Sequence, residues 1–553
     1  MVHKYNKLPK TRIDYSMGKI VKFKQTIEYY IKISDARLAE GDHLGAISAI
    51  RSGIEALKPS SKRDSLYVVL GQLYFGINLY ELSDYYLFKA FYIKELRACV
   101  CFCLGRNMVK LMRYDVADLY FSTCLDYDTT LQFTEFVKEW INHAKFQAPK
   151  QHLRPAEERT LALAKSEISR KQFEKALDLL ATLPNSTAYS EDALYLEASA
   201  YFLMGNYASA RESAKLLLKH NPVSIYGYSI MVNICFDEGD YENLEINTST
   251  LLSLTPTSAN ENYRAALTLA RVRKFTESKP YFERLMHTDE YNVKVLFFYS
   301  VACYLASEID NALFYISRAK WIDYDNKILD FYYNYYRART VLDFPEFVFQ
   351  IPKNLAKSKL EEVERVLKQG IAASHAINQS HFLLDDIEWT FTLNQPHITS
   401  FITEKLAMLK NKKADVLVHN ALINNMYNDR HKYEILREHF ILGKNSVIDF
   451  VADNKYRSLR PSMPSQIANN TAYRQAFIDA SCFCECYAPE YNIIEAHKKI
   501  FDGVAKAPHL EINLNTLTCA MFSNEPNVLQ SACKFFNGSS AKVEELKKLL
   551  QLY

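Results

Sequence analysis

The sequence predicts an all-α protein built from stacked helical hairpins, and three observations carry that prediction. Chain breakers are scarce, with 14 glycines and 16 prolines in 553 residues, too few for the turns of an all-β fold of this length. The segment GNYASARESAKLLLKHNP at 205–222 returns as GDYENLEINTSTLLSLTP at 239–256. The chain is also too long for one compact core, which calls for an elongated array or several domains.

The repeat extends into a ladder. An aromatic or large apolar residue precedes a helical run at Phe173, Tyr207, Tyr241, Phe275 and Ile309, each at that same interval from the last. Three positions later stand Ala176, Ala210, Leu244, Ser278 and Ala312, and nine positions earlier Ala164, Ala198, Val232, Ala266 and Ser300. Small residues dominate both sets, as two antiparallel helices require where they touch, and the aromatic is expected to plug the gap beside the turn. Pro222 and Pro256 end the helices before them, because proline has no amide donor and clashes with the preceding turn. Gly205 and Gly239 permit the tight turn inside each hairpin.

This pattern resembles the tetratricopeptide repeat family, whose period of about 34 residues matches the interval of the ladder. The strict register covers about 157–326. A second block lies upstream, where Leu70, Gly71, Tyr74, Tyr80 and Ala90 are followed one period on by Leu104, Gly105, Tyr114, Ala117 and Phe121. Before it, Gly41-Asp42 and Ala46 supply a turn and a small position. The resulting division is a basic tail and helix entry over 1–26, a repeat block over 27–130, an irregular unit or linker over 131–156, a central array over 157–356 and a helical region over 357–553. The basic N-terminal twelve residues read as a disordered end. The family implies a right-handed superhelix.

In the C-terminal region, NKILDFYYNYYRARTVL fits a further first helix, and DFPEFVFQIPKN, bracketed by Pro345 and Pro352, is a strand-like special loop. Ser358 and Glu361 form a capping-box pattern before a helix that ends at Gly370. Helical runs are expected at about 380–393, 397–411, 414–427, 430–442 and 446–454, and a linker at 457–470. The end is an amphipathic capping helix with Val543, Leu546, Leu549, Leu550 and Tyr553 on one face.

The formal net charge of +3 gives no field to draw the chain to nucleic acid or anionic lipid. There is no apolar run of the ~18 residues a spanning helix needs and no signal-peptide core. Eleven cysteines without a secretory signal read as reduced thiols in a cytoplasmic or nuclear protein. No phosphate loop, nucleophile elbow or zinc-protease pair appears, so no cofactor is expected. The runs Cys99, Cys101, Cys103 and Cys482, Cys484, Cys486 spread their thiols around a helix and read as structural. His431, Glu434 and Glu438 share a helical face that reads as solvated charge rather than as a metal site.

In the family, the first helix of each pair lines the concave groove. The resemblance therefore places Arg106, Lys110, Lys165, Tyr195, Phe202, Tyr226, Asn233, Phe236, Tyr263, Arg264, Arg271, Lys294, Phe297, Tyr304, Tyr332, Tyr335 and Arg339 there, opposed by Asp192 and Asp237. Aromatics mixed with cations suit a peptide with apolar anchors and some acidic groups. The carboxylate clamp that one subclass uses on chaperone tails is disfavoured: Ile31, Asp35, Val69, Cys99 and Cys103 stand at its places, and in the central array Asn233 and Lys294 fit while Ser229, Arg264 and Phe298 do not.

The leading reading is a non-enzymatic scaffold for protein partners inside a multi-subunit assembly. Its length and repeat number permit a likeness to the long-array subunits of the ubiquitin ligase that drives anaphase, the anaphase-promoting complex. The alternative is an enzyme, or a recruiter of one, with His381, Asp385, Asp386, His419 and His431 as the residues to watch. The ladder itself is testable: Ala210→Trp should lower the melting temperature through overpacking of ~1–3 kcal/mol or more, and an unchanged thermal melt would refute the register.

Overall fold

The computed structural model describes residues 11–14, 19–22, 26–129, 131–142, 156–169, 173–183, 190–338, 347–393, 395–443, 447–461, 463–464, 467, 470–506, 510 and 512–550. They form two compact units, one of 141–358 and one that joins 1–140 to 359–553.

In the unit of 141–358 the hairpins are Ala156–Ser169 with Phe173–Ala181, Ser190–Leu203 with Tyr207–His220, Ile225–Glu238 with Tyr241–Ser253, Ala259–Arg271 with Phe275–Thr288, and Val293–Leu305 with Ile309–Ile322; Lys327–Arg337 follows. Every residue of the aromatic ladder is the first residue of a second helix. The small positions are buried at Ala164, Ala176, Ala198, Ala210, Val232, Ala266, Ser278, Ser300 and Ala312, and half-buried at Leu244. Side-chain caps start the helices: Asn206, Ser224, Asp240, Asn292 and Asn326 each accept a backbone N–H, and Ser258 with Glu261 closes a capping box.

One expectation about the ladder fails. Tyr241 is 75% exposed, so at that repeat no ring fills a gap beside the turn. The constant at this place is the backbone. Gly205, Gly239, Arg273 and Ser307, which share the spacing of the repeat, all have left-handed φ of 78°, 72°, 65° and 65°. Asn78 and Met112 repeat it upstream at 62° and 59°. Stacking imposes the turn whether or not glycine stands there.

First helices of successive hairpins touch one another, while the second helices other than Tyr241–Ser253 pack between their own partner and the next first helix. Elements crowded along one side and spread on the other curve the stack, and the first-helix side is the concave one.

In the other unit the N-terminal part holds an antiparallel strand pair, Thr11–Asp14 with Lys19–Lys22. Three hairpins follow: Ile27–Ala39 with His43–Ala56, Leu66–Gly76 with Tyr80–Ala90, and Arg97–Lys110 with Tyr114–Tyr127. Glycine stands where the ladder has a small residue at two tight crossings. A Cβ on Gly71 would sit 2.7 Å from Leu87 Cγ, and one on Gly105 would sit 2.5 Å from a Phe121 ring carbon. Residues 134–142 are helical; 143–155, read as linker, lie outside the described residues.

The C-terminal part contributes Ile371–Gln379, His381–Phe391, Pro396–Met408, Lys412–Ile423, Asp429–Ile441, Thr471–Tyr487, Ile493–Lys506, Leu514–Ala520, Pro526–Phe535 and Ser540–Leu549. Three expectations are corrected. The helix before Gly370 runs Lys353–Leu367, so Ser358 lies inside it and caps nothing. Leu549 is exposed, whereas Val543, Leu546 and Leu550 are buried; Tyr553 is outside the described residues.

The third correction is the largest. The run at 446–454, read as helix, and the start of the 457–470 linker form a β-hairpin, Ile448–Ala452 with Lys455–Leu459. Its turn is Asp453-Asn454, both left-handed at φ 51° and 58°, which these short polar side chains tolerate. Ile448, Phe450, Val451 and Ala452 are buried, which a β-branched and aromatic strand achieves on a packed surface.

This hairpin packs on the N-terminal repeats. The Tyr456 ring stacks 4.1 Å from Phe91. The Tyr120 hydroxyl donates to the Asn454 carbonyl at 2.7 Å and accepts from the Tyr456 N–H at 3.0 Å. Arg113 pairs with Asp453 at 2.8 Å, and Asn425 donates to the Glu81 carbonyl at 3.1 Å.

The strained turns give a test. A left-handed non-glycine residue costs ~1–2 kcal/mol, so Ser307→Gly should raise the melting temperature by a few degrees for the melting of unit 141–358. A fall would mean the Ser307 side chain is needed there.

Candidate protein-binding face

The concave side of the central array carries two aromatic–cation clusters. In the first, Tyr195 on helix Ser190–Leu203 meets Tyr226 on helix Ile225–Glu238 at 4.5 Å between centroids. The Arg264 guanidinium lies 5.1 Å from the Tyr195 ring. All three are half-buried, and burial pushes the Tyr226 phenol above its ordinary range, with the Tyr195 phenol adding to it.

In the second cluster Arg271 lies between Phe202 at 5.3 Å and Phe236 at 5.6 Å. Its Nη2 contacts both Asp237 oxygens, at 2.7 and 3.0 Å, and its Nη1 donates to Asn233 Oδ1 at 3.1 Å. Asp237, read as an opposing charge, is the partner of Arg271. Both sides of this ion pair belong to the array, so Arg271 holds two hairpins together. Asn233, itself buried, completes that contact and offers little to a ligand.

Further along, Tyr263 is half-buried and approaches Phe298 at 6.5 Å. Lys294 is exposed. Tyr304, half-buried, stacks 4.4 Å from buried Tyr336. Phe297 is a correction: at 0% exposure it is core, packed against Tyr332 at 4.8 Å. Tyr332 is buried as well, while Tyr335 is half-buried and Lys165 exposed. Arg339 lies outside the described residues. Phe347 and Phe349, which the sequence reading left in a loop, reach this face at 5.2 Å from Phe298 and 4.6 Å from Phe297.

In the other unit Arg106 stacks 4.0 Å over Phe75 and 5.5 Å from Trp140, and exposed Lys110 lies 5.9 Å from the same Trp140 ring. These cations also serve their own rings.

The helix Asp429–Ile441 overturns the reading of a solvated charged face. His431, Lys432, Glu434, Glu438 and His439 are all buried. Glu434 pairs with Arg430 at 3.0 Å, Arg437 bridges Glu438 at 3.2 Å and Asp479 at 2.8 Å, and Ser400 donates to Glu438 at 2.7 Å. The helix pairs part of its own charge, and neighbouring helices, invisible to a helix-by-helix reading, add Asp479 and Ser400.

The side chains of four of the five titratable residues of the enzyme reading are described. Asp386 pairs with Lys359, and His431 Nδ1 lies 2.5 Å from Thr399 Oγ1. His419 lines a cavity of about 360 Å³ with Asp415, His439 and Asp449. Asp385 is half-buried on helix His381–Phe391; the His381 side chain is outside the described residues. Among the described residues no group of His, Cys, Asp or Glu is arranged to hold a metal ion. The cysteines are free thiols, all buried except half-buried Cys99; burial pushes Cys101 and Cys124 up to about 12.

No family model and no curated protein matches the chain in sequence. Among solved structures it is similar to a thermophilic TPR protein in Thermus thermophilus, at 16% identity and TM-score 0.28 over 33% of this chain and 100% of that one. A tetratricopeptide repeat protein from Parabacteroides merdae matches at 14% identity and TM-score 0.27 over 57% and 100%. The APC/C hetero-tetramer Cut9-Hcn1 matches at 14% identity and TM-score 0.25 over 75% and 96%. Likenesses this distant say nothing of what the chain binds. Its own helices define it as an all-α solenoid of hairpins with tetratricopeptide spacing.

The buried network predicts acid sensitivity. Burial, helped by Lys432, pushes the His431 imidazole down to about 4, and burial lowers His419 and His497 too. Buried Lys432 is itself pulled down to about 8, opposed by Asp429. The unfolded chain then takes up protons from about pH 6.5 that the folded chain refuses. Stability from His431 is full above that value and declines as pH falls toward about 4. The melting temperature should drop between pH 7 and pH 5, and His431→Gln should shrink the drop; an equal drop in the variant would clear His431.

Proposed function

We propose that this chain is a protein-interaction scaffold that holds partner segments along the concave side of its hairpin array, as a subunit of a larger assembly. The observation that supports the reading most is the Tyr195, Tyr226 and Arg264 cluster. Two half-buried rings from successive hairpins meet under an arginine from a third. Half-exposed aromatics and arginine held rigidly are the residues that dominate binding energy at protein interfaces. Their fixed placement reduces the ordering that a partner must drive.

Proteins, rather than nucleic acid or membrane, are the proposed partners. Positive and negative side chains nearly balance, at 67 and 64, and no helix among the described residues is long and apolar enough to cross a membrane. A subunit role comparable to the long-array subunits of the anaphase-promoting complex is one form of this proposal, resting on length and repeat number.

Arg264→Glu combined with Tyr226→Ala should weaken partner binding by roughly 30-fold or more, the loss of about 2 kcal/mol at a hot spot. Arg271 is unsuited to this test because its loss would strand Asp237. Quantitative affinity purification of the full chain, with thermal melts alongside, decides the matter. Retention of every partner by a variant that melts normally would move the binding surface away from this cluster.

A further inference from the structure

The segment 347–352 lies on the concave side of its own array as a ligand would. Phe347 stacks on Phe298 at 5.2 Å with an interplanar angle of 23°. Phe349 meets Phe297 edge-on at 4.6 Å. Val348 between them is 46% exposed. The two rings thus face the array with Val348 between them, and the chain then bends at 349–350. The Tyr332 hydroxyl donates to the Gln350 carbonyl at 2.9 Å, and Ile351 is buried beyond it.

Two N–H groups of the segment turn back on the segment itself. Gln350 N–H donates to the Val348 carbonyl at 2.9 Å, and Ile351 N–H donates to the Gln350 side chain at 2.9 Å. Aromatic rings and the Tyr332 hydroxyl of the array meet this stretch, and 347–350 pair with no strand among the described residues. Ring contacts of this kind suit an exchangeable ligand better than a strand held in a hydrogen-bonded ladder does.

We infer that the end of the face formed by Phe297, Phe298 and Tyr332 is a peptide site for a partner segment bearing two aromatic residues separated by one uncharged residue, and that residues 347–351 occupy it in the free chain. The inference rests on the scaffold reading and adds the chemistry of the ligand and an autoinhibitory occupant. A site filled in most molecules weakens the apparent affinity for a competitor by the fraction left open. A partner segment therefore binds by displacing the chain's own.

A fluorescent peptide of residues 343–354, DFPEFVFQIPKN, tests this by anisotropy on the full chain. It should bind the Phe347→Ser, Phe349→Ser double variant roughly tenfold or more tighter than the unsubstituted chain. The same peptide with both phenylalanines changed to serine should not bind either protein. Equal affinity for the two proteins, or no binding to a double variant with normal helical circular dichroism, would overturn the proposal. Loss of the helical signal in that variant would also overturn it, since the segment would then be a fixed part of the core.

Hydrogen exchange on the unsubstituted chain gives a separate reading. Excess unlabelled peptide should speed exchange at the chain's own 348–351 amides, and the serine peptide should not; no acceleration counts against displacement. The Arg264→Glu, Tyr226→Ala variant should bind the peptide as the unsubstituted chain does. A failure here and a failure of partner capture at that other cluster are therefore separable.

Discussion

Close approach of paired helices is the constraint on which the rest of this structure depends. Each hairpin closes where side chains are small enough to let two backbones meet, at Ala198 and Ala210 or at Gly71 and Gly105. A methyl group of excess there has no room to move into, since interiors are packed to crystal density. The fixed spacing repeats this contact, so each hairpin meets its neighbour in the same orientation. Stacking is strong enough to hold Arg273 and Ser307 left-handed at turns where other repeats have glycine.

Repetition places no limit on the array, and the unit of 1–140 with 359–553 is finished by a different device. The hairpin at 448–459 sets Tyr456 against Phe91 and uses its turn to engage Tyr120 and Arg113. Behind it lies a polar network in which Arg437, Glu438 and Asp479 neutralise one another out of water. Buried ions gain little net stability over apolar packing, but removing one partner leaves another uncompensated. The network therefore penalises any arrangement that separates helices Asp429–Ile441 and Thr471–Tyr487.

On the central array the cations are largely committed to the chain itself. Arg271 is paired with Asp237 and held between two phenylalanines. A partner would meet partly exposed rings, with Arg264 over Tyr195 and Lys294 as an exposed charge nearby. Recognition built on such a face draws its energy from aromatic burial, and the chain's own phenylalanines at 347 and 349 already exploit that property.

The sequence by itself determined the helical hairpins, their regular register and the small contact positions, because these follow from local periodicity and from the space one residue occupies. It also placed Tyr195, Tyr226 and Arg264 on first helices, since a helix fixes which residues share a face. Only the tertiary structure decided that Phe297 is core, that Arg271 belongs to Asp237, and that His431 and His439 lie buried. Each of those outcomes depends on which side chain of a neighbouring element comes to meet it, and the residue types at the repeat positions do not state that. The hairpin at 448–459 was missed for the same reason. Its residues pair across an Asp-Asn turn, Ile448, Phe450 and Ala452 gain their burial in the core of the C-terminal helices, and the turn meets Tyr120 of the N-terminal repeats, contacts that no local pattern encodes.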